Sequence, residues 1–298
     1  MHLLIPHASA LDDAARHAFS GLALPHLTAL LARLSPTDTW GSDEFSPHPP
    51  HHAALAALHG QAEPSAAAWA ANAGPELAWA LMTPVHLAVG NEGVDVLPPA
   101  ALNLSESDAA RFVALLRELW PEAEGWRWQV LDATRWAIGH ATALDGMARA
   151  NVASIERAAG QHIEPWLPDN RVLRRWQNEA QMLLHGHPLN EAREARGDHP
   201  INSVWLGDIG RSNGRPVDVT VDARLTEPLM TGDLAAWAEA WQRLDAGPLA
   251  ALAQDPQASL TLCGERLARR FSPQPLSFFD KLRRRFQAPD VAAVMEAL

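Results

Sequence analysis

The stretch from Arg171 to Gly210, RVLRRWQNEAQMLLHGHPLNEAREARGDHPINSVWLGDIG, constrains the fold more than any other part of the chain. Val172, Leu173, Trp176, Ala180, Leu183 and Leu184 recur at helical spacing, so a helix over 171–184 has one apolar stripe to bury. Gly186 accepts the positive φ that ends a helix, and His187-Pro188 starts a new direction. Asn190 is placed to cap a further helical turn over 191–195, which Gly197 stops. Ile201 to Leu206 then reads as a strand closing with Gly207 and Gly210. The strand needs a sheet and the helix needs an apolar surface, so this segment alone predicts an α/β protein.

Composition supplies the material for such a fold. The chain has 298 residues, 47% of them hydrophobic, enough for one large domain or two ordinary ones. A formal charge of −11 argues against general affinity for nucleic acid or anionic lipid, and neither is expected as a partner. The single cysteine, Cys263, excludes an internal disulfide and a Cys-rich zinc site, which fits a cytoplasmic protein. The opening MHLLIPHASALDDAARH lacks the basic start and long apolar core of a signal peptide, and no stretch approaches the ~20 apolar residues that cross a bilayer.

Along the chain, Leu3 to Pro6 predicts a buried strand, followed by helices over 9–19 and 24–34. Residues 35–50 are rich in Ser, Pro, Gly and Asp and read as a loop, with short helices over 53–58 and 66–71. His48, His51 and His52 in that region have no Asp or Glu spaced to complete a metal set, so they read as surface histidines and no cofactor is expected. Leu77 to Val89 and Val94 to Leu97 are β-rich around the turn residues 90–93. Ser105 caps a helix carrying Phe112, Leu115, Leu116 and Leu119 on one stripe, ended by Pro121. Trp126 to Leu131 and Arg135 to Ile138 are two further strands joined at Asp132-Ala133. Residues 151–157 read as helical or as a long connection. After a turn at 212–216, strands are expected over 217–223 and 259–263 and helices over 234–244, 278–286 and 291–298. The basic run 281–285 reads as a solvated helix face.

His187, Asn190, Arg193, Asn202 and Trp205 fall on turns and element ends, where side chains can converge. Guanidinium, amide and imidazole donors together suit a phosphate or carboxylate. The same residues could instead cap helices and satisfy loop carbonyls, with Arg193 bridging two elements, and the pattern leaves both readings open. Glu179, beside the apolar stripe, needs a partner, either Arg175 one turn back or an arginine from elsewhere.

The segment HPLNEAREARGDHPINSVWLGDIG resembles a signature of the archaeal-type cofactor-independent phosphoglycerate mutases, H-P-x-N-x-x-R-x-x-G followed by A-N-x-I-W-x-W-G-x-G. His187, Pro188, Asn190, Arg193, Asn202, Trp205, Gly207 and Gly210 carry the match. Met82-Thr83-Pro84 with Gly90, Arg135-Trp136 and His140 sit in the order of that family's inserted domain. The whole chain also resembles a proteobacterial family of regulatory proteins of RpfE type, through MHLLIPHASAL and RRWQNEAQMLLHGHPLNEAREARG. These resemblances imply a mixed-sheet core of reduced alkaline-phosphatase-like type from residues 1–76 and 211–298, with an inserted α+β subdomain at 77–210. They imply a ligand set of Arg135, His140, Glu179, His187, Asn190, Arg193, Asn202 and Trp205.

The mutases hold two divalent metals through Asp and His and transfer the phosphoryl group to Ser or Thr. Here the first strand ends Leu4-Ile5-Pro6-His7-Ala8-Ser9 without an aspartate, and no histidine follows Val217. The expectation is therefore a non-catalytic regulatory or ligand-sensing protein that binds a small phosphate- or carboxylate-containing ligand, or an unidentified protein partner. One alternative is a metal-dependent mutase or phosphohydrolase using His7 and Ser9 as ligand and nucleophile. The other is a structural interaction protein.

Overall fold

β1, His2–Ile5, is apolar at three of four positions and buried along its whole length, as a strand covered on both faces must be. In the computed structural model, which describes residues 1–41, 43, 45–61, 64–70, 76–90, 93–147, 152–211, 218–275 and 289–298, it is an inner strand of a mixed sheet, one place in from the edge. The chain is an α/β protein that divides into two compact units, Met1–Ala54 with Pro216–Leu298, and Leu55–Arg215. The segment expected as an insertion, 77–210, falls inside the second unit. That unit starts earlier because Ala66 and Ala67 of a 3-10 turn, Ala66–Ala68, and Ala70 pack with Trp79, Leu81 and Ala137.

In the first unit, β1 pairs in parallel with β9, Thr220–Val221, on one side and with β10, Ser259–Cys263, on the other. β10 continues antiparallel into β11, Leu267–Ser272, and β11 into β2, Ser35–Gly41. β2 corrects the loop expected over 35–50. Its sequence, SPTDTWG, is polar and mostly exposed because it is an edge strand, where Pro, Asp and Ser are tolerated. Helices α1, Asp13–Ser20, and α2, Pro25–Arg33, with α9, Leu234–Leu244, and α10, Ala250–Gln254, supply the rest of the core. That core includes Phe19, Leu27, Leu30, Trp237, Trp241, Leu260 and Leu262. α3, Pro50–Leu58, starts earlier than the expected 53–58 and carries His51 and His52, which are buried and not the surface histidines expected, and α8, Thr226–Met230, follows β9. The C-terminal helix spans Val291–Glu296. The expected helix over 278–286, the basic run 281–285 and the turn at 212–216 lie outside the described residues, as do positions 71, 91–92, 151 and 217 of neighbouring predicted elements.

The second unit is organised on an antiparallel sheet of order β6-β7-β3-β8. β3, Ala78–Val85, is paired by β7, Trp136–His140, and by β8, Ser203–Arg211. β6, Arg127–Val130, follows on the far side of β7. The β-rich run 77–89 breaks after β3: β4, Leu87–Val89, pairs instead with β5, Val94–Val96, as a separate ribbon. Between β7 and β3, Gly139 leaves room for the Trp79 ring, which a Cβ there would meet at 2.9 Å. α4, Glu106–Leu116, is capped by the Ser105 hydroxyl on the Asp108 amide at 3.1 Å. α5, Ile155–Ala158, is a single turn within the expected 151–157. α6, Arg171–Leu184, keeps the expected bounds, and α7, Pro188–Glu194, follows. Phe112, Leu116, Trp120, Trp136, Leu173 and Leu184 close the core of this unit. Among the described residues, no helix is long and apolar enough to cross a membrane.

Candidate functional site

α6 is built to hold a polar row beside a buried stripe. The Asn170 side chain accepts from the amides of Val172 and Leu173 at 2.8 and 3.3 Å, which fixes where the helix starts. Leu173, Ala180 and Leu184 are buried, and Gly186 follows the helix with φ 62°. Val172, expected in the stripe, is instead exposed, because it precedes Leu173 by one position and so points about 100° away from it. Arg174, Gln177, Asn178 and Gln181 stand three and four positions apart and share one face. That row faces a cleft of about 260 Å³, whose other walls are Val85 of β3, Ser203, Val204 and Trp205 of β8, and Leu87, Ile163 and Leu167.

The cleft is rigidly framed. Trp205 is buried and donates its indole N–H to Ala153 O at 2.8 Å. The Gln177 amide reaches Val204 O, at 3.5 Å, across the edge strand. The Arg174 guanidinium donates through Nε to Pro168 O at 2.6 Å and has Asp169 at 3.6 Å, which orients its plane. Among the described lining residues there is one cation, three carboxamides and a buried serine, and no His, Cys, Asp or Glu. Such a lining can pair with an anionic group and exchange hydrogen bonds with a polar one. It holds no group suited to moving a proton near neutral pH.

Of the residues predicted from sequence, Trp205 lines this cleft. The others are held as follows. Asn190 does not cap α7. His187 does, accepting from the Leu189 amide at 3.2 Å, because Pro188 takes the first helical position. Asn190, inside the helix and buried, donates to Leu184 O and Ile201 O and accepts from the Ile201 amide, at 2.8–2.9 Å, tying the end of α6 to the approach to β8. Arg193 is 1% exposed, donates to His199 O at 2.9 Å and to Leu102 O, and lies 3.9 Å from Asp108. Burial draws its pKa downward, against the charges of Asp198 and Asp108.

Asn202 forms a two-point amide pair with the Leu87 backbone at 2.7 and 2.9 Å, joining the start of β8 to β4. Glu179 accepts from Arg175 at 2.8 Å, the partner one turn back. His140 accepts the amides of Thr142 and Ala143 on Nδ1 and sends Nε2 to Glu124 O at 3.1 Å. Arg135 pairs with Asp132 at 2.6 Å and lies over the Trp69 ring at 5.4 Å. Burial works to raise the Asp132 pKa, but the charge and hydrogen bonds of Arg135 and the amides of Thr134 and Arg135 outweigh it, so the net direction is down.

Arg174, Gln177, Asn178, Gln181 and Ser203 are the cleft residues that motif reading passed over. Their signal was available as polar residues at i, i+3, i+4 and i+7 of a helix whose apolar stripe had already been found. What was missing was the strand opposite them.

No protein-family model matches the sequence, and no curated protein matches it. Among solved structures, the PH0037 protein from Pyrococcus horikoshii is similar with a TM-score of 0.48 and 11% identity, over 94% of this chain and 89% of that chain. A cofactor-independent phosphoglycerate mutase from Thermoplasma acidophilum gives a TM-score of 0.37 and 12% identity, over 93% of this chain and 90% of that chain.

Proposed function

We propose that this chain is a non-catalytic ligand-sensing or regulatory protein whose second unit binds a small molecule bearing a phosphate or carboxylate. The observation that carries the reading is the cleft between α6 and β8, where one guanidinium, three carboxamides and a serine hydroxyl stand over Val85, Leu87 and Trp205. Pockets of this make-up, apolar walls with a few convergent polar groups, are the usual form of small-molecule sites. The anionic end of the ligand pairs with Arg174, and its remaining polar groups meet Gln177, Asn178 and Gln181. In this reading the first unit is a reduced core of alkaline-phosphatase-like type that serves as scaffold.

The test is thermal unfolding of the full chain with 3-phosphoglycerate, inorganic phosphate and citrate as probes. A ligand that binds only the folded state at a hundred times its Kd adds about 2.7 kcal/mol, a rise of several degrees in Tm. Arg174→Ala should remove the shift with little change in the unliganded Tm, since the Arg174 side chain is 53% exposed. A shift that survives both Arg174→Ala and the pair Gln177→Leu, Gln181→Leu would place the ligand elsewhere. Metal-dependent turnover of a phosphoglycerate would overturn the non-catalytic reading.

A further inference from the structure

β8 is an edge strand, with β3 on one side and, among the described residues, no strand on the other. Opposite Val204 in β3 stands Pro84. Proline has no N–H to give, so this is a position where paired strands exchange no hydrogen bonds, and the N–H and C=O of Val204 both turn away from β3. Gln177 meets them from the open side, its amide nitrogen at a long 3.5 Å from Val204 O. Val204 is buried, and among the described residues its N–H has no partner. A buried donor left unpaired is costly, so this one favours any acceptor brought to it.

The open length of this edge is short. At Gly207 the chain returns so close that a Cβ there would meet Ala153 O at 3.2 Å, and Trp205 donates to the same carbonyl. The part of the edge that lines the cleft is Ser203 to Trp205. On the facing wall the polar row runs along α6 from Arg174 to Gln181, about 10 Å at ~1.5 Å per residue. Three residues of extended chain, at ~3.3 Å each, have the same length.

We propose that the cleft takes the C-terminal end of a peptide, laid in extended form beside Ser203 to Trp205 as a short added strand. This rests on the anion-binding role proposed above for the same cleft and names its ligand class. A main-chain N–H of the peptide donates to Val204 O and one of its carbonyls accepts from the Val204 N–H, in the place where the Gln177 amide reaches now. Asn178 and Gln181 carry carboxamides, which donate and accept as a peptide group does. The terminal carboxylate pairs with Arg174 at one end of the row. Val85, Leu87, Ile163 and Leu167 give apolar side chains a surface to bury. Strand addition draws affinity from main-chain bonds and specificity from such side-chain pockets. An inorganic anion is too small to span the row, and an internal stretch of a folded chain brings no carboxylate to Arg174.

The experiment titrates the full chain calorimetrically with an acetylated tripeptide of alanine, valine and leucine, its C-terminal amide, and two analogues with an ester in place of either inner amide. 3-Phosphoglycerate is titrated in parallel. The tripeptide should bind, and its C-terminal amide should bind at least about tenfold more weakly. One of the two esters should bind about fivefold more weakly, because successive N–H groups of a strand point to opposite sides. On saturation the Val204 amide signal of the ¹⁵N-labelled chain should move downfield. Arg174→Ala should bring the tripeptide down to the affinity of its amide, whereas Arg175→Ala, outside the cleft with its side chain 75% exposed, should leave binding unchanged. Binding of 3-phosphoglycerate without binding of the tripeptide would overturn the peptide and leave the anion site standing, and failure of both would overturn the two together. Equal affinity for acid, amide and both esters, or a Val204 signal that stays in place, would overturn the added strand.

Discussion

Arg193 shows how one buried side chain can join three parts of a unit. From α7 it donates to His199 O and Leu102 O and stands 3.9 Å from Asp108, with a side chain 1% exposed. Arg193→Ala would leave the buried Leu102 carbonyl and the part-buried His199 carbonyl without their donor, so a loss of about 3 kcal/mol in urea unfolding is expected. Arg193→Lys should recover only part, because an ammonium cannot span two acceptors as the planar guanidinium does. His2 gives the molecule a pH dependence of another kind. It is buried against Thr261, with Nε2 2.8 Å from the hydroxyl. Burial first, then the charges of Arg270 and the chain's amino terminus, lowers its pKa to about 4.

The unfolded chain therefore takes up a proton at His2 near pH 6.5, and the folded chain does so only near 4. The resulting contribution is complete above pH 6.5, is lost as the pH falls toward 4, and is level below that. It amounts to at most about 3 kcal/mol. In His2→Gln, unfolding free energies measured at pH 7.5 and 4.5 should differ by less than in the wild type. An identical difference in the two proteins would sink this assignment.

At the scale of elements, α2 begins without a side-chain cap of its own, since its capping position is Leu24. The cap comes from across the first unit. Asp245, buried in the π-helical turn after α9, accepts from the Leu27 amide at 2.8 Å and the His26 amide at 3.2 Å, with His26 Nδ1 at 3.0 Å. A carboxylate here satisfies two of the orphan amides and complements the positive end of the helix. Asp245→Ala should cost about 2 kcal/mol in denaturant unfolding and speed amide exchange at Leu27, with Asp245→Asn intermediate. Exchange at Leu27 unchanged in Asp245→Ala would mean that the cap is not what holds α2. The short interval between Leu24 and Pro25 carries no trace of this arrangement, because its partner lies 218 residues away from Leu27.

For the molecule as a whole, the elements with strong local periodicity were legible. The helices at 171–184 and 234–244 and the strand at 259–263 appear with the bounds their sequences predict, and the Ser105 cap follows from spacing alone, whereas the partner of Glu179, open between Arg175 and a more distant arginine, is Arg175. Amphipathic helices and buried strands announce themselves because one face must be apolar whatever covers it. The edge strand β2 was not legible, since an exposed strand needs no apolar face and exists through its partner β11. The cleft was half legible: the polar row on α6 could be read, but the wall of β8 opposite it could not. Pattern also left open whether Asn190 and Arg193 meet a ligand or the backbone. The packing of α7 against residues 102, 184, 199 and 201 engages them with backbone carbonyls. The sequence by itself determined where the amphipathic helices and the buried strands lie. Tertiary structure alone decided which polar groups are spent on the fold and which line a cleft, because that depends on contacts made across tens or hundreds of residues.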